Sequence, residues 1–89
     1  MHSARPVLVR RARLRTDPLS GGYMLLLPER GLRLNASAAA ILRLCDGEHS
    51  VEQIALGLAP AEQEDRVLAD VVELVSQLSR RGLLTVSDR

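Results

Sequence analysis

Cys45, His2 and His49 are the residues of this chain best suited to nucleophilic or metal chemistry, and their placement argues against both. Nucleophilic catalysis needs a base oriented on the attacking group. Here one histidine stands near the chain start, the other in a turn, and the thiol on an apolar helical face. A zinc site needs spaced Cys and His ligands, and a lone cysteine also forms no intramolecular disulfide. Cys45 therefore reads as a small buried hydrophobe. Gly21-Gly22 is too short to cradle a phosphate and suits a hairpin turn. Glu48 and His49 fit a solvent-exposed turn. Asp70 and Glu73 lie on the polar face of a long helix, where Arg66 and Asp70 at i,i+4 suggest an ion pair worth a few tenths of a kcal/mol. No catalytic site, metal or cofactor is expected, and the chain does not read as an enzyme.

The elements that must position any function are small. At 89 residues the chain reads as one domain, 1–89, with residues 1–6 a loose N-terminal tail. A domain of this size buries only roughly 60–65% of its unfolded surface, which leaves little core from which to cut a cleft. Apolar residues make up 46%, enough for a globular fold, but Tyr23 is the one aromatic residue. Base-stacking platforms for nucleic acid need aromatic rings that this chain lacks. No signal-peptide h-region or transmembrane-length apolar run is present, so a soluble, cytoplasmic protein is expected. All twelve basic residues are Arg, and the net charge is +1. The charge is uneven: Arg5, Arg10, Arg11, Arg13 and Arg15 precede the first acid, while Glu62, Glu64, Asp65, Asp70 and Glu73 oppose only Arg66 across residues 62–73. These runs are either solvated faces or, for the arginines, a surface attractive to an acidic partner.

Period-two patterning suggests a strand within Val7–Arg15, a turn over Asp17–Gly22, and an apolar strand from Tyr23 to Leu27. Pro28 ends that strand, and Gly31–Leu34 follows as a third short strand with Leu32 and Leu34 inward, Arg33 outward, and an open edge. Asn35 is a good N-cap for a helix over Ala36–Asp46 that buries Ala38, Ile41, Leu42 and Cys45, with Gly47 at its left-handed end. Ser50 and Gln53 form a capping box for a second helix carrying Val51, Ile54, Ala55 and Leu58, which Pro60 breaks. A third helix runs from about Glu62 to Arg81, ended by Gly82. Val67, Val71, Leu74 and Leu78 make one stripe along it, and Leu68, Val72 and Val75 a second. Together they span roughly 160°, against the ~100° that one core needs. Leu83–Val86 forms a short extended tail. The fold class is α+β and winged-helix-like: three short antiparallel strands, three helices and the tail.

An open edge beside surplus apolar helix surface suits strand addition by a peptide. The second stripe equally suits packing under the N-terminal segment or the C-terminal tail, and patterning leaves both open. Winged-helix DNA binding is a rival reading. It would need Arg, Lys, Asn or Gln on the outer face of the third helix, where Asp65, Asp70 and Glu73 stand instead.

Five segments in order resemble the pyrroloquinoline quinone biosynthesis protein D (PqqD) family: Leu25-Leu26-Leu27-Pro28-Glu29, Leu34-Asn35, Ile41 to Gly47 with its Leu-Cys-Asp-Gly ending, Val51-Glu52-Gln53-Ile54, and Asp70-Val71. Arg13-Leu14-Arg15 is similar to the family's first strand, and the match runs from about Pro6 to Leu84. The segment Ala59–Glu62 lacks the aromatic residue common in relatives. The resemblance implies a non-catalytic peptide chaperone, a recognition element for ribosomally made, modified peptides. It would bind the precursor PqqA and present it to the radical S-adenosylmethionine enzyme PqqE in quinone cofactor synthesis. Carried onto this chain, the implied peptide-binding residues are Gly31, Leu32, Arg33, Leu34, Leu68, Val71, Val72 and Val75. Implied partners are PqqA and PqqE, with neither nucleic acid nor membrane, and a monomer or a weak or strand-swapped homodimer. Leader-peptide recognition in another modification pathway is the alternative.

Overall fold

In the computed structural model, which describes residues 2–60 and 62–87, four strands are followed by three helices and a fifth strand. The order is β1 (Arg5–Leu8), β2 (Arg13–Thr16), β3 (Tyr23–Leu26), β4 (Gly31–Leu34), α1 (Ala36–Arg43), α2 (Val51–Leu58), α3 (Glu64–Arg80) and β5 (Leu84–Ser87). Strands β2, β3 and β4 form one antiparallel sheet in that order, and β1 pairs antiparallel with β5 in a second. The expected α+β arrangement of short strands, three helices and an extended end is present. The C-terminal segment is a paired strand rather than a free tail.

The N-terminal segment departs from the loose tail expected over residues 1–6; Met1 lies outside the described residues. Ala4 and Pro6 are buried, and Arg5–Leu8 is ladder-bonded to Leu84–Ser87. The physical reason lies in α2. The first N–H groups of any helix have no partner within it. Here the Val51 N–H donates to the Ala4 carbonyl (2.8 Å) and the Glu52 N–H to the His2 carbonyl (3.0 Å). The Gln53 N–H donates to Ser50 Oγ (3.1 Å), while the Ser50 N–H donates to the Gln53 side chain (2.8 Å), completing the capping box. The single strand expected within Val7–Arg15 is two, because the chain turns at Arg10–Arg11. The Val9 N–H goes to the Leu83 carbonyl, and β2 leaves to pair with β3.

Asn35 caps α1 by accepting from the Ala38 N–H at 2.7 Å. That helix ends at Leu44 rather than at Asp46, so Gly47 is not its terminator. Gly47 adopts φ +81° three residues later, where its N–H donates to the Pro6 carbonyl. The end of α3 is as expected. With Arg81 as C-cap, the Gly82 N–H bonds to the Ser79 carbonyl and the Leu83 N–H to the Leu78 carbonyl, a Schellman closure for which Gly82 supplies φ +74°. Leu78 and Leu83 are both buried beneath it.

One continuous core joins Leu25 of β3, Ile41, Leu42 and Cys45 around α1, Val51, Ile54 and Ala55 of α2, Val71, Val75 and Leu78 of α3, and Leu83 and Leu84. Ala38, expected inside, is only half-buried, and Ala39 takes the interior position. α1 covers the inner face of the three-stranded sheet, while α3 packs chiefly on α2 and β5. A groove lies between α1 and α3, with Asn35, the residue after β4, at its margin.

Candidate peptide interface

The turn between β3 and β4 sets which backbone groups of β4 are available. The Leu27 N–H bonds to the Arg30 carbonyl (2.8 Å) and the Arg30 N–H returns to the Leu27 carbonyl (3.3 Å), around Pro28-Glu29. In an antiparallel ladder, bonded and non-bonded pairs alternate. From Leu27–Arg30 the register makes Leu25–Leu32 and Tyr23–Leu34 the bonded pairs, and Leu26–Gly31 and Met24–Arg33 the non-bonded ones. The main-chain N–H and C=O groups of Gly31 and Arg33 therefore point away from β3, along the open edge. Leu32 and Leu34 turn their side chains inward and are half-buried against the core. Arg33 is exposed on the other face.

Next to this edge lies a groove of about 340 Å³ lined by Asn35, Ser37, Ala38, Ile41, Asp70, Glu73, Leu74 and Gln77. Asn35 directly follows β4, so edge and groove are continuous. Ile41, Ala38 and Leu74 supply apolar surface between α1 and α3. Asp70, Glu73 and Gln77 form the polar wall, with Gln77 Nε2 donating to Glu73 Oε1 at 3.4 Å. The expected Arg66–Asp70 ion pair does not form among the described residues; the Asp46 carboxylate instead lies in hydrogen-bond contact with His49 Nδ1 at 3.0 Å.

The expected site divides accordingly. Gly31, Leu32, Arg33 and Leu34 lie together on the edge strand. Val71 and Val75 have no exposed surface and belong to the core. Leu68 and Val72 are half-buried and lie on the far flank of the buried line. The helix is rotated so that 70, 73, 74 and 77, spaced i, i+3, i+4, i+7, face the groove instead. Leu74 belongs to the first of the two apolar stripes, whose assignment to core or groove patterning leaves open. The overlooked signal was its polar neighbours at helical spacing, which mark a boundary between buried and open surface.

The remaining chemistry-bearing residues are placed elsewhere. Cys45 is buried, its Sγ donating to the Ile41 carbonyl at 3.4 Å. Burial, with the Asp46 carboxylate beside it, pushes the thiol up from 9.0 to about 12, so it stays protonated and inert at neutral pH. Asp46 itself is held below its usual range, first by the Glu48 N–H and then by His49. Asp17 is lowered in the same way by the Leu19 N–H and the Ser20 hydroxyl within the hairpin loop. No helix of the described residues is long and apolar enough to cross a membrane.

Residues 22–84 match the family model described as coenzyme PQQ synthesis protein D (PqqD). The chain belongs to the PqqD family. Among its relatives is a protein of Bradyrhizobium diazoefficiens named PqqA binding protein, 36% identical over 85 residues, spanning 93% of this chain and 82% of that one. Another of that name, from Rhodopseudomonas palustris, is 40% identical over 85 residues, spanning 93% and 83%. In structure the chain resembles the PqqD truncation of Methylobacterium extorquens PqqCD. That protein is described as a functional, stand-alone recognition element for ribosomally synthesized and post-translationally modified peptides (RiPPs). The TM-score is 0.76 at 34% identity, covering 90% of this chain and 87% of that one. The PqqD resemblance drawn from the sequence motifs is thus borne out in family and fold.

Proposed function

We propose that this chain binds the precursor peptide PqqA as an added strand on β4 and presents it, without itself catalysing a reaction, to the radical S-adenosylmethionine enzyme PqqE. The observation that carries the reading is the outward pair Gly31 and Arg33, whose main-chain groups lie beside the groove between α1 and α3. A peptide strand pairing there gains backbone hydrogen bonds from the edge. Its alternate side chains fall toward Ile41 and Leu74, which gives it register. The names of the PqqA binding relatives and the recognition-element neighbour support this choice of ligand. Without peptide the same edge is open to a second copy, and a weak or strand-swapped dimer is its expected form.

Proline scanning tests the backbone component. The Arg33 N–H is not used by the sheet, so Arg33→Pro, on an edge strand, should fold while removing one donor to the peptide. Calorimetric titration with PqqA should show affinity reduced about three- to tenfold, the net worth of one hydrogen bond. Arg33→Ala keeps the donor and should cost distinctly less. Equal losses in both variants would mean that the side chain, not the edge, carries the binding.

A further inference from the structure

The outward face of the β2–β3–β4 sheet carries a patch that peptide pairing does not use. Register places Arg15, Met24 and Arg33 in one row across the sheet, and Arg13, Leu26 and Gly31 in the next. All point away from the core, whose side is taken by Leu14, Leu25 and Leu32. Gly31 has no side chain, and Met24 and Leu26 lie over it. A Cβ built there would meet Met24 Cε at 2.6 Å and Leu26 Cδ2 at 3.2 Å. The result is an apolar centre, with Leu26 40% exposed, flanked by three exposed arginines.

None of these guanidinium groups is engaged in an ion pair among the described residues. Arg15 donates only to the carbonyl of Leu14 at 2.9 Å, and Arg33 acts on Asp17 only through a weak field. Met and Arg around a desolvatable apolar centre is the composition enriched in protein interfaces. A face this basic is complementary to carboxylates. Its edge is β4 itself, so a protein seated there would lie against a peptide bound at Gly31–Leu34.

We propose that this face, centred on Met24 and Leu26 and flanked by Arg13, Arg15 and Arg33, is the docking surface for an acidic patch on the peptide-modifying enzyme. The inference rests on the presentation role proposed above. It assigns the two partners to different parts of one sheet: the peptide to the β4 edge, the enzyme to the outward face. Both can then be bound together. Arg13 and Arg15 stand on β2, remote from the β4 edge, and their substitution separates the two events.

The test is the double variant Arg13→Glu/Arg15→Glu, with Leu26→Ser as a second variant, measured against purified PqqE and against PqqA separately. Retained heteronuclear NMR dispersion establishes folding. The expected result is a loss of enzyme affinity of about tenfold or more in the double variant, since charge reversal at an interface exchanges attraction for repulsion. Affinity for PqqA should stay within about twofold, and the salt dependence of enzyme binding should flatten. Wild-type affinity for PqqE in both variants would overturn the docking face while leaving presentation intact. An equal fall in PqqA affinity would overturn the separation of the two surfaces. Failure of the wild-type protein to bind PqqE, with or without peptide, would remove the presentation role together with this inference. Self-association lost in the double variant, with enzyme binding unchanged, would reassign the face to a second copy.

Discussion

Cys45 and Asp46 are neighbours in sequence with opposite environments, and each affects stability through its ionisation. The Cys45 thiol is buried, and its charged form would be disfavoured there. Asp46 is exposed and gains from its charge, accepting the Glu48 N–H at 2.8 Å. Asp17 does the same for the Leu19 N–H at 3.0 Å and the Ser20 hydroxyl at 2.9 Å. Both carboxyls are lowered from 3.8 in the folded chain. The stability they contribute is therefore fully present above their unfolded pKa and is lost as pH falls through the folded one. Thermal melts should show the melting temperature declining below about pH 4, with a shallower decline in Asp17→Asn and Asp46→Asn. Wild-type slopes in both variants would mean that these turns do not rely on the charged form. The buried, unreactive thiol was legible from its place on an apolar helix face. The lowered acids were not, because they depend on which N–H groups a turn brings to each carboxylate.

At the level of elements, local chemistry was the most legible. The Asn35 cap, the Ser50–Gln53 box and the Gly82 closure all follow from residues close together in the chain. Two features depended on distant partners and were not readable from pattern. One is the division of the Val7–Arg15 segment between two sheets. The other is the rotation of α3, which sends Val71 and Val75 inward and turns Asp70, Leu74 and Gln77 to the groove. The two apolar stripes cover a broad arc, and hydrophobicity alone does not say which margin stays open. The account predicts that Leu74→Ala weakens PqqA about tenfold, by removing apolar surface from the groove, while Val72→Ala on the opposite flank changes it distinctly less. Titration of both folded variants checks this. A larger loss at Val72 would return the site to the originally expected face.

At the level of the whole molecule, the first and last strands close the structure. β1 and β5 pair with each other, and β1 also bridges through Val7 to Asp46, while residues 2–4 supply carbonyls to the first turn of α2. A short polar stretch before Pro6 has no periodicity to announce this, because its value lies in backbone acceptors for a helix some fifty residues away. Deleting residues 2–6 should lower the melting temperature by about 10 °C or more: roughly 2 kcal/mol of lost bonds and burial translates at about 4–8 °C per kcal/mol for a domain this small. An unchanged melt would show that β5 and α2 hold without this segment. The peptide edge lies on the other sheet, so the part of the molecule that closes the fold is separate from the part offered to a ligand.

The central claim is that a peptide strand pairs with β4 and lies over the groove between α1 and α3. A titration of the ¹⁵N-labelled protein with PqqA, followed by two-dimensional NMR, tests it most directly. The account predicts saturable shifts largest at the amides of Gly31 and Arg33 and on the α3 face bearing Asp70, Leu74 and Gln77, with little change at Arg13 and Arg15. Shifts centred on β1 and β5, or no shifts at peptide excess, would contradict it.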